Sequence, residues 1–152
     1  MKNISYLILL FSCLSTAQID NKKVTFLYFT AGGIKADRID VRFEVDNDST
    51  LVYKNVERVD PHDNDKITRL KENTRFKISG KEYNSLIDEL DKAFRLKPKE
   101  EEYVCFHSNL IIVNFTRNGK EYELSSKCIE SDLNSWSLPL LKKFLKLINE
   151  KG

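Results

Sequence analysis

Between Leu110–Arg117 and residues 120–126 the chain carries Asn118-Gly119, two residues that tolerate the positive φ of a type I′ turn, so the flanking runs are expected to double back as a β-hairpin. The register then follows by arithmetic. With Arg117 opposite Lys120, paired numbers sum to 237, which sets Phe115 against Tyr122 and Val113 against Leu124 on one face. Thr116 with Glu121 and Asn114 with Glu123 fall on the other, which reads as a solvent surface.

The first half of the chain has the same strand-like character. Residues 24–30 are apolar on both alternating faces, the pattern of a strand covered on both sides or flanked by neighbours. Ile39, Val41, Phe43 and Val45 alternate with Asp40, Arg42, Glu44 and Asp46, the period of a strand with one buried and one charged face. Asp46-Asn47-Asp48-Ser49 supplies turn chemistry, residues 51–56 read as the returning strand, and 75–78 as a short further strand. Between these last two, the polar run Asp60 to Asp65 reads as a loop.

Ser79 stands three residues before Glu82, the spacing of a capping box, and opens a helix over about 80–95. Tyr83, Leu86, Ile87, Leu90 and Phe94 make its apolar stripe. A second helix over about 137–150 carries Leu138, Leu141, Phe144 or Leu145, and Ile148 inward, with Lys142, Lys143 and Lys146 outside and basic residues complementing the dipole at its carboxyl end. Strands, helix, hairpin, helix, with no alternating βαβ units, predict an α+β fold: an antiparallel sheet of about five or six strands with two helices packed on one face. A length of 152 residues and the lack of a Pro-rich or Ser-rich linker point to one domain over residues 18–152.

Residues 1–17 read differently. Lys2, a short apolar run and the small residues Ser15 and Ala17 have the layout of a secretory signal peptide, with cleavage expected between Ala17 and Gln18. The apolar run is shorter than the roughly 20 residues that span a bilayer, so no transmembrane segment is expected after its removal. A second reading makes Cys13 the lipid-bearing residue of a membrane-anchored lipoprotein, against which stands the bulk of Phe11. A periplasmic or secreted protein follows from the first reading. The formal charge of +2 is too near zero to imply nucleic acid or an anionic membrane as partner.

Export decides how cysteine is read. Removal of residues 1–17 leaves Cys105 and Cys128, an even number for an oxidising compartment, and a disulfide between them is expected. Regular register sets Cys128 opposite Asn109, about 13 Å along the strand from Cys105, whereas bonded residues need Cα atoms within about 7 Å, so a bulge or loop at 107–109 is required. Cys105 also stands two residues from His107, the ingredients of a thiol-dependent hydrolase, but i and i+2 are nearly 7 Å apart in a strand and no third group orients them. With His62 the only other histidine, zinc chemistry is not expected, and the Asp60, Asp63 and Asp65 run lacks the glycine and bidentate Glu of an EF-hand. Ala31-Gly32-Gly33 with Lys35 falls short of a phosphate loop. No cofactor is expected. Asp48-Ser49-Thr50 looks like a short O-glycosylation signal of some Gram-negative envelope proteins.

The signal peptide, the strand and helix order and the Cys105 and Cys128 positions together resemble small exported Gram-negative bacterial domains of unknown function. The resemblance implies no functional residue. With no catalytic cluster in view and charged sheet and helix faces on offer, the chain reads as a non-enzymatic binding domain for a protein partner in the cell envelope. An envelope enzyme using Cys105 and His107 is the alternative.

Overall fold

A computed structural model of the chain describes residues 19–32, 35–60, 68–97, 109–127 and 136–150. It contains β1 (Ile19–Gly32), β2 (Lys35–Asp46), β3 (Ser49–Asp60), β4 (Thr68–Ser79), α1 (Gly80–Leu96), β5 (Leu110–Arg117), β6 (Lys120–Lys127) and α2 (Leu138–Glu150). The six strands form one sheet in the order β4-β3-β2-β1-β5-β6, with every neighbouring pair antiparallel. This is the expected α+β arrangement. β1, apolar on both faces, lies between β2 and β5.

The local signals act as read. Asn118 and Gly119 take φ of 52° and 75°, and Arg117 pairs with Lys120. Ser79 ends β4 and caps α1 without an intervening loop: its Oγ accepts from the Glu82 amide at 3.2 Å, while Glu82 Oε2 accepts from the Ser79 amide at 2.8 Å. Asp46 pairs with Ser49 across the turn at Asn47-Asp48, and the Asn47 amide donates to Asp46 Oδ1.

Both helices cross the strands on the face that carries Val24, Phe26, Val41, Val52, Ile78, Val113, Phe115 and Leu124. α1 runs from β4 towards the β5–β6 hairpin, where Phe94 meets Phe115 and Tyr122 edge-on. α2 runs back from β6 to β3. Its Phe144 stacks on Phe26 at 4.7 Å, and Phe43 packs on Tyr83 at 4.9 Å. The Tyr83 hydroxyl donates to the Asn21 carbonyl, in the segment where the β1–β5 register shifts between Asp20 and Val24.

Several expectations need correction. β4 is twelve residues long rather than the four of 75–78. Its backbone pairs with β3 along that whole length, a stabilisation that leaves no mark on the side-chain pattern at residues 71–73, which are exposed on both faces of this edge strand. Lys143 does not simply face solvent. It is half-buried and donates to the Ser85 carbonyl at 3.0 Å and the Ser85 hydroxyl at 2.7 Å, tying α2 to α1. The last turn of α2 holds no basic residue; Lys54 of β3 reaches over instead and donates to the Ile148 carbonyl at 3.1 Å. Thr116 is buried rather than exposed, and it pairs with Asp20 next to the shift in the β1–β5 register. In α2, Leu140 joins Leu141, Phe144 and Ile148 inside, and Leu145 is only partly buried.

Candidate interaction surface

The chemistry-bearing residues singled out in the sequence, Cys105, His107, Cys128 and His62, lie outside the described residues, as do Cys13, Ala17 and Gln18. The Asp48-Ser49-Thr50 signal is described. Ser49 is half-exposed beside the turn, and Thr50 is fully buried, so only the serine hydroxyl of the pair is accessible. Among the described residues no group of three or more His, Cys, Asp or Glu could hold a metal ion. No helix among them is long and apolar enough to cross a membrane.

What the described residues do build is a second face of the sheet, opposite the helices. Strand alternation dictates its content. Each residue adjacent in sequence to a core residue points the other way, so β1 contributes Thr25, Leu27 and Phe29, and β5 contributes Leu110, Ile112 and Asn114. Leu27 pairs with Ile112 and Phe29 with Leu110, and all four are half-buried. They form an apolar ridge two strands wide.

The ridge is flanked by charge of different sign. On the β2–β4 side the face carries Arg38, Asp40, Arg42 and Glu44 of β2, Tyr53 and Glu57 of β3, and Lys71, Arg75 and Lys77 of β4. Arg38 Nε bonds Asp40 Oδ2 at 3.0 Å while its guanidinium lies 5.8 Å from the Phe29 ring centre, linking charge to ridge. The Tyr53 hydroxyl donates to Glu44 Oε2 at 2.7 Å, and the Arg75 guanidinium stands 5.5 Å from the Tyr53 ring centre. The hydrogen bond to Glu44 raises the Tyr53 phenol above its ordinary range, and the positive charges of Arg75 and Arg42 act against that rise. On the β6 side stand Glu121 and Glu123, both exposed, which border a shallow depression with Lys23, Thr25, Asn114 and the rings of Phe115 and Tyr122, where β1 is irregular.

The sequence disclosed the charged part of this face through the alternation in β2 and the hairpin arithmetic. It missed the ridge. The available signal was that residues 24–30 and 110–113 are runs apolar at nearly every position, which fits adjacent central strands each half-covered on the outer side. No protein-family model, curated protein or solved structure matches the chain.

Proposed function

We propose that the protein is an exported, non-enzymatic domain that binds a protein partner in the cell envelope through the open face of its sheet. The observation that carries this reading is the apolar ridge of Leu27, Phe29, Leu110 and Ile112 framed by charged columns, on the face the helices leave alone. An apolar centre with a polar, charged surround is how protein interfaces are organised. The layout of residues 1–17 supports export with a mature end at Gln18, and the even cysteine count supports a Cys105–Cys128 disulfide.

Capture from the native envelope with the mature domain, run beside an Ile112→Asp variant that keeps its cooperative unfolding, tests the reading. A stoichiometric partner held by the parent and lost by the variant is expected. Turnover in a broad hydrolase screen, abolished by Cys105→Ser with folding intact, would put the enzyme reading in its place. Intact mass of the same preparation reports the terminus: Gln18 agrees with soluble export, and a diacylated Cys13 or a retained Met1 contradicts it. Peptide maps with and without reductant report the disulfide.

A further inference from the structure

We infer that the partner of the open face is an acidic protein segment that lays apolar side chains on the β1–β5 ridge and carboxylates over β2–β4. This rests on the binding reading above and adds the chemistry of the partner. The decisive point is which charges are already satisfied. On β2–β4 the carboxylates of the open face are engaged within the fold: Asp40 with Arg38, Glu44 with the Tyr53 hydroxyl, and Glu57 likewise engaged. Of the cations there, Arg38 is engaged with Asp40 and the others are not ion-paired among the described residues. Arg42, Lys71 and Lys77 are exposed with no hydrogen-bonded or ion-paired partner among the described residues, and Arg75 rests on the Tyr53 ring. The charge this half presents to a visitor is therefore positive, although the counts of acidic and basic residues in the whole chain nearly cancel.

The apolar ridge selects a protein over other polyanions. Leu27, Leu110 and Ile112 offer aliphatic surface that a sulfated or phosphorylated polysaccharide has nothing apolar to cover. Spacing adds a constraint: β4 stands three strands from β1 and four from β5, about 14–19 Å. An extended segment that crosses the strands thus needs its carboxylates about four to six residues from its apolar group.

A second copy of the chain fits poorly. A twofold axis along the strands between β2 and β1 would set β4 over the other chain's Glu121 and Glu123, yet would also set Leu27 and Phe29 over the Arg38 and Asp40 strand. With the axis between β1 and β5 the ridges meet, and β4 falls outside the contact.

The test uses the mature chain and four probes: a synthetic decapeptide with a glutamate half and a leucine half, its lysine–leucine counterpart, heparin, and phosphatidylglycerol vesicles. The acidic peptide is expected to bind at low salt, at least tenfold tighter than the basic one. Its affinity should fall at least tenfold in Lys71→Glu/Lys77→Glu, less in Lys71→Gln/Lys77→Gln, and again between 50 and 500 mM salt. Tighter binding of the basic peptide, binding of heparin or vesicles without the acidic peptide, or dimerisation through this face in sedimentation would each overturn the inference. Binding lost in Ile112→Asp but kept in the lysine variants would leave the face as the site and reject the acidic partner. Binding kept in all of them would reject the face itself.

Discussion

The two faces of the sheet are made by the same six strands, yet they do different work. On the helix side, Phe26, Val41, Val113 and Leu124 lie in one cross-strand row, each 2% exposed or less, with Phe144 stacked over the centre. One residue along each strand, the open side reads Leu27, Asp40, Ile112 and Ser125, half of it polar. Burial along the helix-side row is complete and should dominate stability, at about 1.5–3 kcal/mol for each large apolar side chain. The second face leaves its ridge partly exposed and Arg42, Lys71 and Lys77 without an ion pair among the described residues, which lowers what it contributes to folding. Substitutions at adjacent residues can therefore separate folding from the recognition we propose for the open face.

The largest effect is expected at Leu86, fully buried on α1. Leu86→Asp puts a carboxylate where nothing can pair with it, a cost of several kcal/mol against a total stability of roughly 5–15, so circular dichroism should show no cooperative unfolding at ambient temperature. Tyr83 comes next. Burial, with the charge of Asp20 adding to it, pushes its phenol well above the ordinary value, while the unfolded chain ionises near pH 10. From about pH 10 upward the unfolded state releases a proton that the folded state keeps, so stability falls as pH rises. The drop in denaturant midpoint between pH 8 and pH 11 should be larger in the parent than in Tyr83→Phe; equal drops would remove Tyr83 as the cause.

Ser79→Ala should lose about 1 kcal/mol, since it deletes the hydroxyl that accepts from the Glu82 amide. Single substitutions at Lys71 or Lys77 on the open face should move the unfolding midpoint least, within about 0.5 kcal/mol, because neither side chain has a partner to lose among the described residues.

The elements set by short-range chemistry were legible in the sequence: the Asn118-Gly119 turn, the Ser79–Glu82 box, the α1 stripe and the charged alternation of β2. Features that depend on distant pairing were not. The full length of β4 is fixed by β3, the polar tie of Lys143 to Ser85 by the approach of two helices, and the Lys54 cap by a contact 94 residues away. The candidate face divides along the same line. Its charged columns follow from alternation within a strand. The ridge exists only because β1, 80 or more residues earlier in the chain, pairs with β5, a placement that no local pattern specifies.

Ile112 and Val113 are neighbours on β5 that point to opposite faces, the first half-buried on the open side and the second fully buried beneath the helices. Equilibrium denaturation of Ile112→Asp beside Val113→Asp is the sharpest measurement of the division. Val113→Asp is expected to lose the cooperative transition, as is Leu86→Asp, while Ile112→Asp keeps it with a loss of about 1 kcal/mol. Equal damage from the two substitutions, or the greater damage from Ile112→Asp, would show that the open face is core and would contradict the account.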